Sequence, residues 1–493
     1  MNKFIYICFI LLWSTTTNAE NISLAEILQS SPSKQILSEK SSAQHFIFSY
    51  KVHQNGNFQN TVFNYGVIGN VFNAPNDINP YQQAPKYYFP RNGRFRHGIV
   101  SSLWVGGVVN RDTLVSTGID YDYPNGVYSF EFLPDNYFED NYIDLSPRRF
   151  FLNASDFQLS QNTFQTTFVD TNSSLYWFQD FHPYDGRMHK PLGIKVTQTS
   201  YSWSYKYAED FLIVDYEIEN VGKFPIYDAY IGLYHEGAMH HTGEVPAPKL
   251  DDLEGFLESY PYEYEELGNE QINLAWTCDV DGDPYGGVWH RASTVNCLGI
   301  APLYVPEEAD VYNFNWWTTI GIEDWGPRKK DPMTGAVRKF NGVYGTPKGD
   351  KNKYYLMAHP EVDYSGYEAS VDYSNRGWIE PTESADAISD GHHVNYLLSW
   401  GPFDLEQQDR KHVTLVLSVG QYFHTVPSAY RDIFNPLNPK PFMDQLDFED
   451  LINNVRWAKR IYDNPGVDTD LDGDYGKYIF IVDSLTFDST QVF

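Results

Sequence analysis

The stretch "DFLIVDYEIENVGKFPIYDAYIGLYHEG" (Asp210–Gly237) constrains the fold more than any other part of the chain. Leu212, Val214, Tyr216 and Ile218 fall on one face of an extended segment, and Ile213, Asp215, Glu217 and Glu219 on the other. A period of two belongs to a half-buried strand, because successive Cβ atoms point to opposite sides of a sheet. A turn at 220–224 and the apolar return "IYDAYIGLY" complete a hairpin.

The same punctuation recurs. "GIVSSLWVGGVVNRDTLVSTG" (Gly98–Gly118) reads as two strands joined at Asn110-Arg111-Asp112, and "PLGIKVTQTSYSWS" sets Leu192, Ile194 and Val196 on one face. "HVTLVLSVGQYF" (His412–Phe423) is another strand. Helix is scarce, and no repeat of fixed period appears. The clear helix is Phe448–Asn464, where Phe448, Leu451, Ile452, Val455, Ala458 and Ile461 form an apolar stripe. Acidic residues stand at its start and Arg456, Lys459 and Arg460 near its end, as the helix dipole favours. A second short helix is a candidate near Ser23–Leu37. The pattern predicts an all-β chain of stacked antiparallel β-sandwiches, immunoglobulin-like or supersandwich-like, with one C-terminal amphipathic helix.

Residues 1–19 have the form of a secretory signal peptide: Lys3, an apolar run over 4–13, and Thr17-Asn18-Ala19 at the cleavage position. Nothing later is apolar for long enough to span a bilayer. A polar, serine-rich leader or linker follows over 20–43, then an N-terminal β domain over 44–190. The main β-sandwich domain is placed at 191–440, with an acidic insertion at 250–270 read as a solvated loop or short helix. The helix takes 441–464 and an aspartate-rich tail 465–493. These features point to the extracellular space, the cell surface or the periplasm.

A net charge of −30 argues against nucleic acid and anionic lipid as partners. Past the signal, two cysteines remain, Cys278 and Cys297. In an oxidising compartment they are expected to bridge, closing a loop of about 20 residues for roughly 3 kcal/mol. Two buried free thiols are the alternative.

The tail contains "DTDLDGDYG" (Asp468–Gly476). Asp468, Asp470 and Asp472 stand at positions 1, 3 and 5 of a calcium loop, and Gly473 at position 6, where such a loop turns sharply. Position 12 is Ile479, so the match is to the front half only, with Asp474 or Asp483 as a further ligand. A weaker copy, "DVDGDPYGG", aligns Asp279, Asp281 and Asp283 with Asp470, Asp472 and Asp474, while Thr277 replaces the first aspartate. Structural Ca²⁺ is the cofactor these runs predict, against plain acidic turns.

Two histidine clusters, His235/Glu236/His240/His241 and Asp390/His392/His393, have zinc-ligand chemistry but lack the spacing of a helical zinc-protease motif. Hydrogen-bonded histidines are the simpler reading. The chain is 17% aromatic, and Trp316 or Trp317 with Trp325 are candidates for a flat face that stacks on sugar rings, against core packing.

The runs "FNYGVIGN", "LWVGGVVNRDTLVSTG", "DFLIVDYEIENVG…YDAYIGLYHE" and "LLSWGPFDLEQQDRKHVTLVLSVG", followed by the helix, resemble large secreted β-sandwich proteins of the Bacteroidetes–Fibrobacteres–Chlorobi group. The resemblance covers about 61–463. It implies compartment and fold, and no particular reaction. Members often end in immunoglobulin-like and type IX sorting modules, and no such module is expected up to Phe493. The expectation is a calcium-stabilised, non-catalytic extracellular or cell-surface protein with a polysaccharide or cell-surface glycan as partner. A polysaccharide hydrolase or lyase on the same scaffold is the alternative. No G-x-S-x-G elbow, phosphate loop or dinucleotide fingerprint appears.

Overall fold

The computed structural model describes residues 49–462 except 71–83, 123–126, 130, 136–142, 145–159, 171–188, 244–250, 263–267, 310, 319–325, 339–346 and 348. It also describes 480–482 and 489–491. Two antiparallel sheets dominate. The first runs in the order Tyr50–His53, Asn60–Phe63, Val67–Gly69, Val100–Val109, Ile226–Glu236, Val394–Leu405, Val311–Thr318, with Asp112–Thr117 beside Val100–Val109. The second runs Ile143–Asp144, Asn162–Val169, Ile194–Ser202, Phe211–Asn220, Arg410–Gly420, Cys297–Tyr304, Asn269–Asp279, Asp252–Pro261, with Leu133–Pro134 beside Asn162–Val169. The sheets face each other. His53 reaches from the first to Ser202 Oγ (2.6 Å) and Ser200 Oγ (2.8 Å) of the second, and Phe256 stacks on Phe314 with centroids 5.4 Å apart.

The alternation behaves as its period requires. Leu212, Val214, Tyr216 and Ile218 are fully buried between the sheets. On the opposite face Ile213 joins the core under the helix, while Glu217 and Glu219 flank Arg410 at 3.1 and 3.0 Å. The Asn110-Arg111 turn has positive φ at both residues (49° and 76°), as a tight hairpin demands.

The C-terminal helix is Glu449–Tyr462 and packs across Arg410–Gly420, Cys297–Tyr304 and Phe211–Asn220. It lies close because two glycines face Leu451. A Cβ on Gly299 would meet that side chain at 2.9 Å, and one on Gly420 would meet its Cβ at 2.5 Å. Residues 440–443 form a separate short helix, Lys440–Met443, so the helix expected over 441–464 is two elements. The helix considered near Ser23–Leu37 lies outside the described residues.

Two expectations are corrected. Residue 190 is not a domain seam: Asn162–Val169 pairs with Ile194–Ser202, and Val100–Val109 with Ile226–Glu236. One compact unit covers 44–73 and 84–493. The described residues of the acidic segment 250–270 are not a solvated loop or short helix but strands at the edge of the second sheet, Asp252–Pro261 against Asn269–Asp279. A helix without a readable apolar stripe, Asp350–Ala358, covers the outer face of the first sheet and buries Leu356 and Met357. Among the described residues no helix is long and apolar enough to cross a membrane.

Candidate metal centre

Asp279 ends its strand, and the chain turns at once through Val280-Asp281-Gly282-Asp283. The turn is built by its own carboxylates. Asp279 Oδ1 accepts from the N–H of Asp281 (3.1 Å) and of Gly282 (2.6 Å), and Asp281 Oδ1 accepts from the N–H of Asp283 (2.8 Å). Short acidic side chains form such turns because they reach an amide two or three residues on. Gly282 has φ +79°, and a Cβ there would press on the Trp289 ring at 3.0 Å.

The returning chain fixes the third carboxylate. Thr294 Oγ1 donates to Asp283 Oδ2 at 3.0 Å, and Ser293 Oγ donates to the Asp283 carbonyl at 2.8 Å. From below, His424 Nε2 holds the Asp279 carbonyl (2.8 Å) and the Tyr367 hydroxyl the Val280 carbonyl (2.9 Å). Val280 N–H donates to the Asp251 carbonyl at 2.9 Å, lacing the loop to the next strand. Burial lowers the His424 pKa to about 4, so this support is neutral.

The result brings one ligand oxygen each from Asp279, Asp281 and Asp283 within 4.8 Å of one another. Two oxygens on opposite sides of Ca²⁺, each at roughly 2.4 Å, are separated by about that distance. Asp279 is buried, and Asp281 and Asp283 are half-buried. Burial pushes the Asp279 carboxyl well above its usual range, and the charges of Asp283, Asp251, Asp281 and Asp252 push it further. A hard divalent cation removes both penalties. The donor set fits calcium: all oxygen, anionic, and preshaped by backbone amides.

Other sequence-predicted sites fare differently. Asp468, Asp470, Asp472 and Asp474 lie outside the described residues, as does Trp325. Trp316 and Trp317 point to opposite faces of Val311–Thr318, yet both are fully buried, which corrects their assignment to a sugar-stacking face. The cause is cover on both sides. Trp316 Nε1 donates to the Tyr364 carbonyl (2.7 Å), and Trp317 packs 6.0 Å from Tyr234, in the layer beneath Asp350–Ala358.

Cys278 and Cys297 sit directly opposite each other on neighbouring strands, but both are buried free thiols, which corrects the expected bridge. Each sulfur has a different neighbour: Cys278 Sγ lies 3.4 Å from the Tyr367 hydroxyl and Cys297 Sγ 3.9 Å from the Gly420 carbonyl. Burial raises both thiol pKa values.

The histidine clusters do meet, through His393 Nε2 and Glu236 Oε1 at 3.2 Å. Their other members are committed elsewhere: His235 Nδ1 to Ser101 Oγ (2.8 Å) and His240 Nδ1 to Arg96 Nη2 (3.1 Å). Among the described residues only the three aspartates gather as a metal-ligand group. Sequence reading missed the carboxylates on the sheet-facing side of the edge strand, Asp252 and Glu254, and Asp363 on the segment that runs beside Val311–Thr318. All three are buried, and burial raises all three well above the carboxylate range. The alternation of Asp252, Glu254 and Phe256 was the available signal.

Neither a scan against protein-family models nor a search of curated proteins finds a match for this chain.

Proposed function

We propose that this is a secreted, calcium-stabilised, non-catalytic protein of the extracellular space or cell surface, with a glycan as its partner. The observation that carries the reading is the convergence of Asp279, Asp281 and Asp283 within 4.8 Å on a loop held by its own amides and by Thr294. The form of residues 1–19 and the likeness of the strand motifs to secreted β-sandwich proteins support the compartment. Millimolar calcium is available there, which suits a site of few charges.

Support for a glycan partner comes from aromatic surface outside the core. Tyr205 and Tyr207 are 49% and 45% exposed and stack with centroids 5.6 Å apart. Trp457 lies 4.9 Å from Tyr207, with the Arg460 guanidinium 5.2 Å above its own ring. Such rings stack on the apolar faces of sugars, and a neighbouring cation suits acidic ones.

The test has two arms. Thermal unfolding in calcium and in chelator should differ, and Asp281→Asn with Asp283→Asn should reduce the difference. Identical melts for the parent would reject calcium. Retention on a polysaccharide panel, without released oligosaccharides and weakened by Tyr207→Ala, supports the glycan partner. Released products would instead make the protein an enzyme.

A further inference from the structure

We propose that the ridge carrying Lys329, Lys330, Arg338 and Arg376 is a binding site for an acidic polysaccharide, one with carboxylate or sulfate groups along its chain. The inference rests on the glycan reading above and adds to it the class of glycan and a surface built from residues other than Tyr205 and Tyr207.

The charge pattern is local. From Arg328 to Lys353 the sequence holds eight Lys and Arg against two Asp, in a chain with 35 against 65 Asp and Glu. At physiological salt a charge is felt over about 8 Å, so the acidity of the rest of the molecule does not cancel this segment. Backbone pairing brings a second segment beside it. Lys330 N–H donates to the Gly377 carbonyl at 2.7 Å and Ile379 N–H to the Arg328 carbonyl at 2.8 Å, so Arg376 adjoins Lys330. Arg338 is joined to them through side chains. It lies over Tyr355 at 4.0 Å, and Tyr355 stacks on His359 with centroids 4.8 Å apart. His359 Nε2 and Lys329 Nζ share Glu361 Oε2, at 3.0 and 3.8 Å.

The two arginines are held by rings and neutral acceptors. Arg376 lies over Tyr373 at 4.8 Å, and Arg338 Nη2 donates to Asn352 Oδ1 and to the Lys351 carbonyl, both at 3.0 Å. Such partners orient a cation and leave its charge in place. Lys330 has Glu380 at 3.6 Å and Lys329 has Glu361, but among the described residues neither arginine has a carboxylate within ion-pair distance. Both arginines are exposed. The surface acids Asp331 and Asp372 are tied into turns, accepting from the N–H groups of Thr334 (2.6 Å) and Ser374 (2.9 Å). A guanidinium that is exposed, uncompensated and already positioned receives an anion at little cost in side-chain entropy. A polymer with repeating anions meets several of these cations at once, which a single anion cannot do.

The full chain is tested on short oligogalacturonates and on dextran sulfate. Their neutral counterparts, methyl-esterified oligogalacturonate and dextran, are run beside them, with polyphosphate as an anion without sugar. An acidic sugar should bind and lose about tenfold in affinity between about 50 and 200 mM salt. It should lose about tenfold or more in Arg338→Gln/Arg376→Gln and much less in Arg338→Lys/Arg376→Lys, which keeps the charge. The salt dependence is read on the unsubstituted protein and stands even if a variant folds poorly. A parent retained by no polysaccharide overturns the glycan reading and this inference together. Retention by neutral sugars alone, neutral sugars bound as tightly as acidic ones, or equal affinity in Arg338→Gln/Arg376→Gln overturns this inference and leaves the glycan reading standing. Polyphosphate bound as tightly as the acidic sugars also overturns it, since the ridge would then select charge and not glycan.

Discussion

The two faces of the edge hairpin Asp252–Pro261/Asn269–Asp279 are made by alternate residues of the same strands, and they are held by opposite physics. Leu253, Leu274, Trp276 and Cys278 face the C-terminal helix and join one apolar core with Leu451, Ile452 and Val455. Asp252, Glu254, Thr277 and Asp279 face the other way, are equally buried, and carry oxygens. Glu254 Oε1 and Oε2 have no hydrogen-bond partner. Burial stabilises the first face by itself. On the second it stabilises nothing until a partner arrives, because desolvating a carboxylate costs more than its packing returns. Equal depth therefore does not mean equal contribution.

The largest effect is expected on the apolar face. Leu451→Ala should cost about 2–5 kcal/mol, since the helix cannot collapse further onto Gly299 and Gly420. Denaturant unfolding measures it, and a loss below 1 kcal/mol would show that the helix is only loosely seated. On the polar face the effect should depend on the ion. Asp281→Asn/Asp283→Asn should reduce the stabilisation gained in calcium, by about 2.7 kcal/mol at a hundredfold excess over this site's Kd, and change little in chelator. Gly282→Ala comes next, at roughly 1–2 kcal/mol, because φ +79° disfavours a side chain and Trp289 blocks it. A melt unchanged by that substitution would mean that the loop rearranges freely.

A buried charge that already has its partner provides a control. His189 sits 3.3 Å from Glu131. Burial alone would lower its pKa, but Glu131, helped by Asp170 and Asp350, holds it up at about 9. Its folded pKa lies above the unfolded 6.5, so its contribution is complete below pH 6.5 and disappears as pH rises through about 9. The melting-temperature gap between the parent and His189→Gln should close over that window, and a gap independent of pH would remove the ion pair from the account. The smallest change is expected at Glu254. Glu254→Gln should leave stability within about 1 kcal/mol at neutral pH, because burial disfavours the charged form of this group and the amide carries no charge. A large loss would reveal that Glu254 binds something as an anion.

Much of this architecture can be read from period and punctuation. The hairpin at 210–237, the turn at Asn110-Arg111 and the amphipathic helix are local patterns, and the structure contains each of them. What could not be read depends on pairing between distant residues. The segment 250–270 looks like a solvated loop because it is acidic. It is strand because Asp252 and Glu254 face inward on alternate positions, beside Asp279 and Thr277. Trp316 and Trp317 suggested an open face because adjacent strand residues point apart, and nothing local reveals that both sides carry a further layer. Asp350–Ala358 escaped because "DKNKYYLMA" carries no apolar stripe. Of the metal centre, Asp279, Asp281 and Asp283 were readable from spacing.

The order of strands has a consequence for how the chain must be made. Phe211–Asn220 has Arg410–Gly420 as its neighbour, and Ile226–Glu236 has Val394–Leu405. Each sheet is thus closed in its middle by a strand that leaves the ribosome about 160 to 210 residues after its partner. Until then the early strands expose unpaired edges, the condition under which β chains associate with one another. Until residue 420 has emerged at least one of these closures is missing, and a chain that stops before residue 394 lacks both.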